Sequence, residues 1–279
     1  MINKIKKYPS IIARPYIKAS KKDAQWKDNQ RYTFESLVTV LASYAVSDLL
    51  NIYINLREPS ENGEGDISEA DLEIIESLKN IDNLKAIGLE QMSLGKWCAV
   101  LRETTKILKE HPDKCFVPEL HKNFQPPNNK LWDDINSLVK QRNDDAHGVP
   151  ISDSELSKVL KNRQEILDRI LDQCSFLENY SISIFDKLVL KSNSQQVSGK
   201  SFINDGQESL IVPADLEPPL GEILLVNHNK KFAFMKLRPL IVYAPINDQD
   251  SRQLSLYSKQ LDKEGNQIHY LGVDGAVDV

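Results

Sequence analysis

Apolar positions recur three and four apart through the N-terminal part of the chain and then give way to short bursts, so a helical part is followed by a β part. From Tyr32 to about Arg57, the residues Phe34, Leu37, Val38, Leu41, Tyr44, Ala45, Asp48 and Leu49 share one broad face. That spacing predicts a helix with Thr33 as its cap. The run ends near Pro59, and residues 60–66 read as a polar loop. Ser68 opens a second helix with an acid, Asp71, at capping-box spacing, and Leu72, Ile75, Leu78 and Leu84 supply its buried stripe. A third helix runs from about Leu94 to Glu110 on Trp97, Val100, Leu101, Thr104, Ile107 and Leu108, and Pro112 stops it. Residues 112–128, with Pro118, Pro126 and Pro127, read as an irregular connection. A fourth helix spans about Asn129 to His147 on Trp132, Ile135, Leu138 and Val139, with Gly148 and Pro150 as its stop. The capping box Ser152–Glu155 opens a fifth, long helix to about Tyr180.

From Ile182 the texture changes. Ile182 to Leu190 is rich in β-formers, and residues 192–209 form a Ser-, Gln-, Asn- and Gly-rich stretch, either a loop or a long hairpin. The bursts Ile223–Val226, Phe232–Met235, Leu240–Tyr243, Leu254–Tyr257 and Ile268–Leu271 are separated by polar, hairpin-like spacers. The expected class is therefore α+β: a basic N-terminal arm over residues 1–30, a bundle of about five helices over 31–180, and a small antiparallel β domain over 181–279.

Composition narrows the picture. The chain has 279 residues, 41% hydrophobic and 27% charged, which fits a packed core rather than global disorder. No uninterrupted apolar run approaches a membrane span and no secretory signal is read at the N-terminus, so a cytoplasmic protein without a membrane partner is expected. Cys98, Cys115 and Cys174 are odd in number and widely spaced, as suits a reducing compartment. The net charge of −5 hides an asymmetry: residues 1–31 carry nine Lys and Arg against two Asp, a balance of +7, and the rest sums to −12. Such an arm reaches toward phosphates or an acidic partner, or is simply a solvated lead-in.

Most familiar chemistry is missing from the text. No phosphate-binding Gly-rich loop, nucleophile elbow or metalloprotease His pair is found, and His111, Cys115 and His121 make a poor metal set in an irregular loop. No metal and no cofactor is expected. What remains is Arg142-Asn143-Asp144-Asp145-Ala146-His147-Gly148, which places a permanent cation, an amide and an imidazole at the end of the fourth helix. Asn143 and His147, four apart, share a face, whereas Arg142 and His147 are five apart and diverge by about 140°. One helix does not build a compact Arg/His pair; two copies facing across a two-fold axis would.

Arg142-Asn143, three residues, then His147-Gly148, late in a helical bundle, resembles the signature of the HEPN family. The resemblance covers residues 31–180, with the motif as its specific part. It implies a homodimeric, metal-independent endoribonuclease with a composite site, of the kind found in prokaryotic defence, toxin and abortive-infection systems. It implies Arg142 as the phosphate-holding and charge-stabilising group, His147 as the proton-transfer residue, and Asn143 as the group that orients one or the other, with Asp144 supporting. An imidazole is the residue type suited to proton transfer at neutral pH. The substrate would be RNA, with tRNA one candidate, cut to a 2′,3′-cyclic phosphate and a 5′-hydroxyl. Position 149 is Val, where one HEPN subfamily paired with a nucleotidyltransferase has Tyr two residues after the His. The β segments, including Leu237 to Tyr243, are similar in texture to those accompanying HEPN-like domains in bacterial defence proteins, and imply a partner-docking or regulatory role.

A second reading stays open. Arg142 and His147 suit a helix C-terminus as dipole-complementing cations, and Arg142 has Asp145 three residues on as a ready partner. The acids Asp144 and Asp145 oppose the binding of a polyanion. The chain would then be a catalytically inactive HEPN-like scaffold for oligomerisation or docking in a larger defence complex.

Overall fold

A computed structural model describes residues 2–57, 92–126, 129–147, 152–191, 194–204, 206–230, 232–237, 240–245, 252–260, 268–272 and 275–278. Among them the fold is α+β, with seven helices and two antiparallel sheets. The helices are α1 (Ile2–Ile5), α2 (Ser10–Ser20), α3 (Trp26–Arg57), α4 (Leu94–Glu110), α5 (Pro118–Phe124), α6 (Asn129–Ala146) and α7 (Asp153–Gln173). The helix expected from Ser68 and the stop signal Gly148 to Pro150 lie outside the described residues.

The stretch over residues 1–30, expected as an arm, is helical and built into the core. Ile5, Tyr8, Ile11, Ile12, Ala13, Tyr16 and Ala19 are buried, while Lys6, Lys18, Lys21 and Lys22 stay on the outside. Pro9 stands at the cap position of α2, so it divides two helices rather than forbidding them. The Tyr8 hydroxyl donates to the Leu171 carbonyl at 2.7 Å and the Tyr16 hydroxyl to Asp168 Oδ1 at 2.7 Å, which fastens this segment to α7.

Helix α3 begins earlier than its apolar face suggests. Trp26 packs with Ala19 and Leu160 and starts the helix, and Thr33, expected as the cap, lies inside it with its hydroxyl donating to the Asn29 carbonyl at 2.7 Å. By length and composition the window from Trp26 to Ile54 would also suit a membrane span, but 72% of it is buried inside the protein, as in a core helix. Asp48 is fully buried on this helix and accepts the Phe116 and Val117 N–H groups at 2.8 and 2.9 Å. That anchors the connection 112–128, which contains α5 where an irregular path was expected. Seven residues between prolines are too few to show a helical period.

The first sheet has the order β3-β2-β1-β4-β5, with β1 (Tyr180–Lys191), β2 (Ser194–Phe202), β3 (Glu208–Pro213), β4 (Ile223–Asn227) and β5 (Ala233–Lys236). The polar stretch 192–209 thus supplies the hairpin strand β2, paired with β1 and with β3. Ile182, Phe202, Ile223, Leu225 and Met235 face the helices, while Phe185, Val197, Val212, Leu224 and Val226 form a smaller cluster on the opposite face. The second sheet is a meander of β6 (Ile241–Pro245), β7 (Arg252–Gln260), β8 (Ile268–Gly272) and β9 (Gly275–Asp278). Trp97 of α4 meets Tyr257 of β7 edge-on at 6.4 Å, and Phe202 meets Tyr243 at 4.9 Å. Helices and both sheets therefore share one continuous cluster of buried side chains.

Candidate functional site

On α6 the core-facing positions are Leu131, Ile135 and Leu138, and Arg142 and Asp145 continue the same stripe by steps of four and three. Arg142 and Asp145 therefore turn toward neighbouring helices. Asn143 and His147 lie on another face and are exposed, and Asp144 is half-buried. The His147 N–H closes the last turn on the Asn143 carbonyl at 2.9 Å. A single chain thus keeps the two charge-bearing ends of the motif on different faces.

Arg142 Nε donates to Glu35 Oε1 of α3 at 3.0 Å, and the two side chains are 38% and 30% exposed. The pairing with Asp145 that the spacing allowed is not made. Asp145 is instead shared between Lys27 Nζ and Arg163 Nη1, each at 2.9 Å. Arg163 is itself almost buried, at 7%, and its Nε donates to Gln141 Oε1 at 3.3 Å. Burial alone would raise the Asp145 carboxyl, but its bonds to Lys27 and Arg163 outweigh that and hold it below the ordinary carboxylate range.

Between α3, α6 and α7 lies a narrow crevice, with room for about one water molecule, lined by Gln30, Arg31, Phe34, Leu138, Arg142, Arg163 and Leu167. It gathers three guanidinium groups beside the motif. Arg31 Nη2 lies 3.3 Å from Asp28 Oδ1, and its guanidinium sits over the Tyr32 ring at 5.0 Å from the centroid. None of Lys27, Gln30, Arg31, Glu35 or Arg163 stands out in the sequence as a site residue. A usable signal existed for Arg163, a charge on the apolar stripe Leu160, Leu167, Ile170 of α7, where a fixed partner is required.

Elsewhere the candidate chemistry is structural. Cys115 Sγ donates to the Leu108 and His111 carbonyls at 3.4 Å each, and the described residues contain no group of three His, Cys, Asp or Glu placed to hold a metal. All three cysteines are free and buried. His228 Nε2 bonds the buried Ser181 hydroxyl at 2.9 Å, which in turn meets Ser183 at 3.0 Å, so His228, just after β4, closes a polar network on the central strand β1. No protein-family model matches this chain, and neither a curated protein nor a solved structure matches it.

Proposed function

We propose that this chain is a HEPN-like, metal-independent endoribonuclease of a prokaryotic defence or toxin system, acting as a homodimer with a composite site. The observation that carries this reading is the placement of Arg142 and His147 at the end of α6, with Arg142 in a half-exposed pair and flanked by Arg31 and Arg163. A guanidinium in such a pair is released at small cost, since exposed ion pairs contribute about 0–1 kcal/mol. Two copies of α6 related by a two-fold axis would bring together two Arg142 and two His147, which the divergence on one helix otherwise forbids.

In that site a His147 imidazole takes the proton of the RNA 2′-hydroxyl as its oxygen attacks the adjacent phosphorus. The P–O5′ bond breaks, and the second His147 protonates the leaving 5′-oxygen. Arg142 holds the non-bridging oxygens, on which charge builds up, and Asn143, exposed beside His147, orients the imidazole or the phosphate. The need for a 2′-hydroxyl makes RNA the substrate and excludes DNA.

A second reading has its own support. Glu35 occupies Arg142 and Asp145 is shared by Lys27 and Arg163, which is how an inactive docking module would be held together. The two are separated by incubating the purified protein with tRNA and total RNA in EDTA beside Arg142→Ala and His147→Ala. The nuclease reading expects cleavage by the parent alone, from a preparation that is dimeric by light scattering. Undiminished cleavage by both variants, or a parent that cuts no RNA, sinks it.

A further inference from the structure

The floor of the crevice beside Arg142 is unusual. Gln30 is fully buried; its Nε2 donates to the Leu160 carbonyl at 2.9 Å and to Gln164 Oε1 at 3.0 Å. Its Oε1, and the buried Nε of Arg31 beside it, have no hydrogen-bond partner among the described residues. Arg163 is clamped by Asp145 and Gln141 and contributes a fixed positive charge. Arg31 and Arg142 are the adjustable members: each sits in a solvent-reachable pair, with Asp28 at 3.3 Å and Glu35 at 3.0 Å. Outside the lining, Tyr32 is 51% exposed and has the Arg31 guanidinium 5.0 Å from its ring centroid.

We propose that this crevice is a subsite for single-stranded RNA within one protomer, adjoining and sharing Arg142 with the composite centre that Arg142 and His147 would form between two. A backbone phosphate displaces the Glu35 carboxylate from Arg142 and bridges it to Arg31, and an adjoining base stacks on the exposed ring of Tyr32. The chemistry favours this ligand over a free small anion. A phosphate accepts two parallel bonds from each guanidinium, and an arginine-backed aromatic outside the lining adds a platform that only a base would use. Duplexes present no free base face to such a ring, so an unpaired strand is the form that fits. Glu35 then acts as the competitor that any phosphate must replace.

The choice of RNA rests on the ribonuclease reading, and the test keeps the two apart. Fluorescence anisotropy is measured with a labelled 2′-O-methyl RNA about 10 nucleotides long, which fills the subsite but has no 2′-hydroxyl to attack with. Tyr32→Ala and Arg31→Ala are each expected to weaken binding about tenfold, and Arg31→Ala to lower the salt slope by about one. Glu35→Gln is expected to tighten it about threefold, a gain that a merely structural role would not give. Lys187→Ala, at an exposed strand lysine, is the control and should stay within about twofold of the parent. Thermal melts of each variant exclude misfolding as the cause of a loss. Binding by well-folded Tyr32→Ala and Arg31→Ala at parental affinity, or weaker binding by Glu35→Gln, overturns the subsite. A protein that shows the expected binding pattern yet cuts no RNA overturns the nuclease reading and leaves the subsite standing.

Discussion

Arg142 Nε and Glu35 Oε1 lie 3.0 Å apart, so the first residue of the motif is tied to α3 rather than to the His147 it would work with. The pair is partly exposed, 38% and 30%, and competes with water and salt. Glu35→Gln should therefore change unfolding free energy by no more than about 1 kcal/mol in urea titrations, while raising the initial rate of RNA cleavage. A large loss of stability would make the pair a structural clamp instead.

The neighbouring Asp145 should behave in the opposite way. Its side chain is 10% exposed and holds Arg163, 7% exposed, so Asp145→Ala strands a nearly buried guanidinium. A cost of about 3–5 kcal/mol is expected by chemical denaturation, because removing one partner leaves an uncompensated charge. A neutral result would show that Arg163 finds water or another acceptor.

Asp48 sets a pH dependence. Burial pushes its carboxyl from 3.8 up to about 6, against the opposing pull of the Phe116 and Val117 N–H groups and of Lys230. The folded protein then holds this proton more tightly than the unfolded chain between roughly pH 4 and 6, and this contribution to stability is lost as pH rises through that window. Asp48→Asn cannot titrate, so its stability relative to the parent should rise by about 2 kcal/mol from pH 4 to pH 7. Parallel urea curves at each pH measure the difference, and a flat difference would place the Asp48 carboxyl near its ordinary value.

Gly199 tests the β1–β2 hairpin. It pairs with Phe185 just before the bulge between Phe185 and Lys187. A Cβ at this position would overlap the Ile184 carbonyl oxygen and come within 2.8 Å of the Phe185 Cα, both backbone atoms that cannot rotate away. Gly199→Ala should cost about 3 kcal/mol or displace β2, read as a lowered melting temperature and loss of amide protection in β1 and β2. Unchanged protection would mean that the strands separate freely there.

Much of this architecture follows from period alone. The stripe Trp97, Val100, Leu101, Thr104, Leu108 places α4 at Leu94–Glu110 as expected, since a helix with one buried face must repeat at that spacing. Where packing rather than pattern decides, the sequence leaves alternatives open. Strand β2 reads Ser-Gln-Gln-Val-Ser-Gly-Lys-Ser-Phe, polar enough to fit a loop as well as a long hairpin, and the ladders on both sides make it the hairpin. In residues 1–30, Ile12 and Tyr16 are apolar enough to dock, but Pro9 and Pro15 interrupt the period, so the buried stripe with Ile5 and Tyr8 does not show. In the candidate site, the divergence of Arg142 from His147 was legible from helix geometry. The partners Glu35, Lys27 and Arg163 were not, because they come from α3 and α7, remote in sequence. Asp48 stands on the apolar stripe in the sequence, but the backbone donors from Phe116 and Val117 that satisfy its buried carboxylate come from a distant connection.

End-group analysis of a cleaved RNA puts the central claim to the most direct test. A single-stranded RNA is incubated with the parent protein in excess EDTA, and the product termini are read by mass spectrometry. The composite Arg142/His147 site predicts 2′,3′-cyclic phosphate and 5′-hydroxyl ends, no cut at a position carrying a 2′-O-methyl group, and no products from His147→Ala. Ends bearing a 5′-phosphate, or cleavage that His147→Ala retains in full, would contradict it.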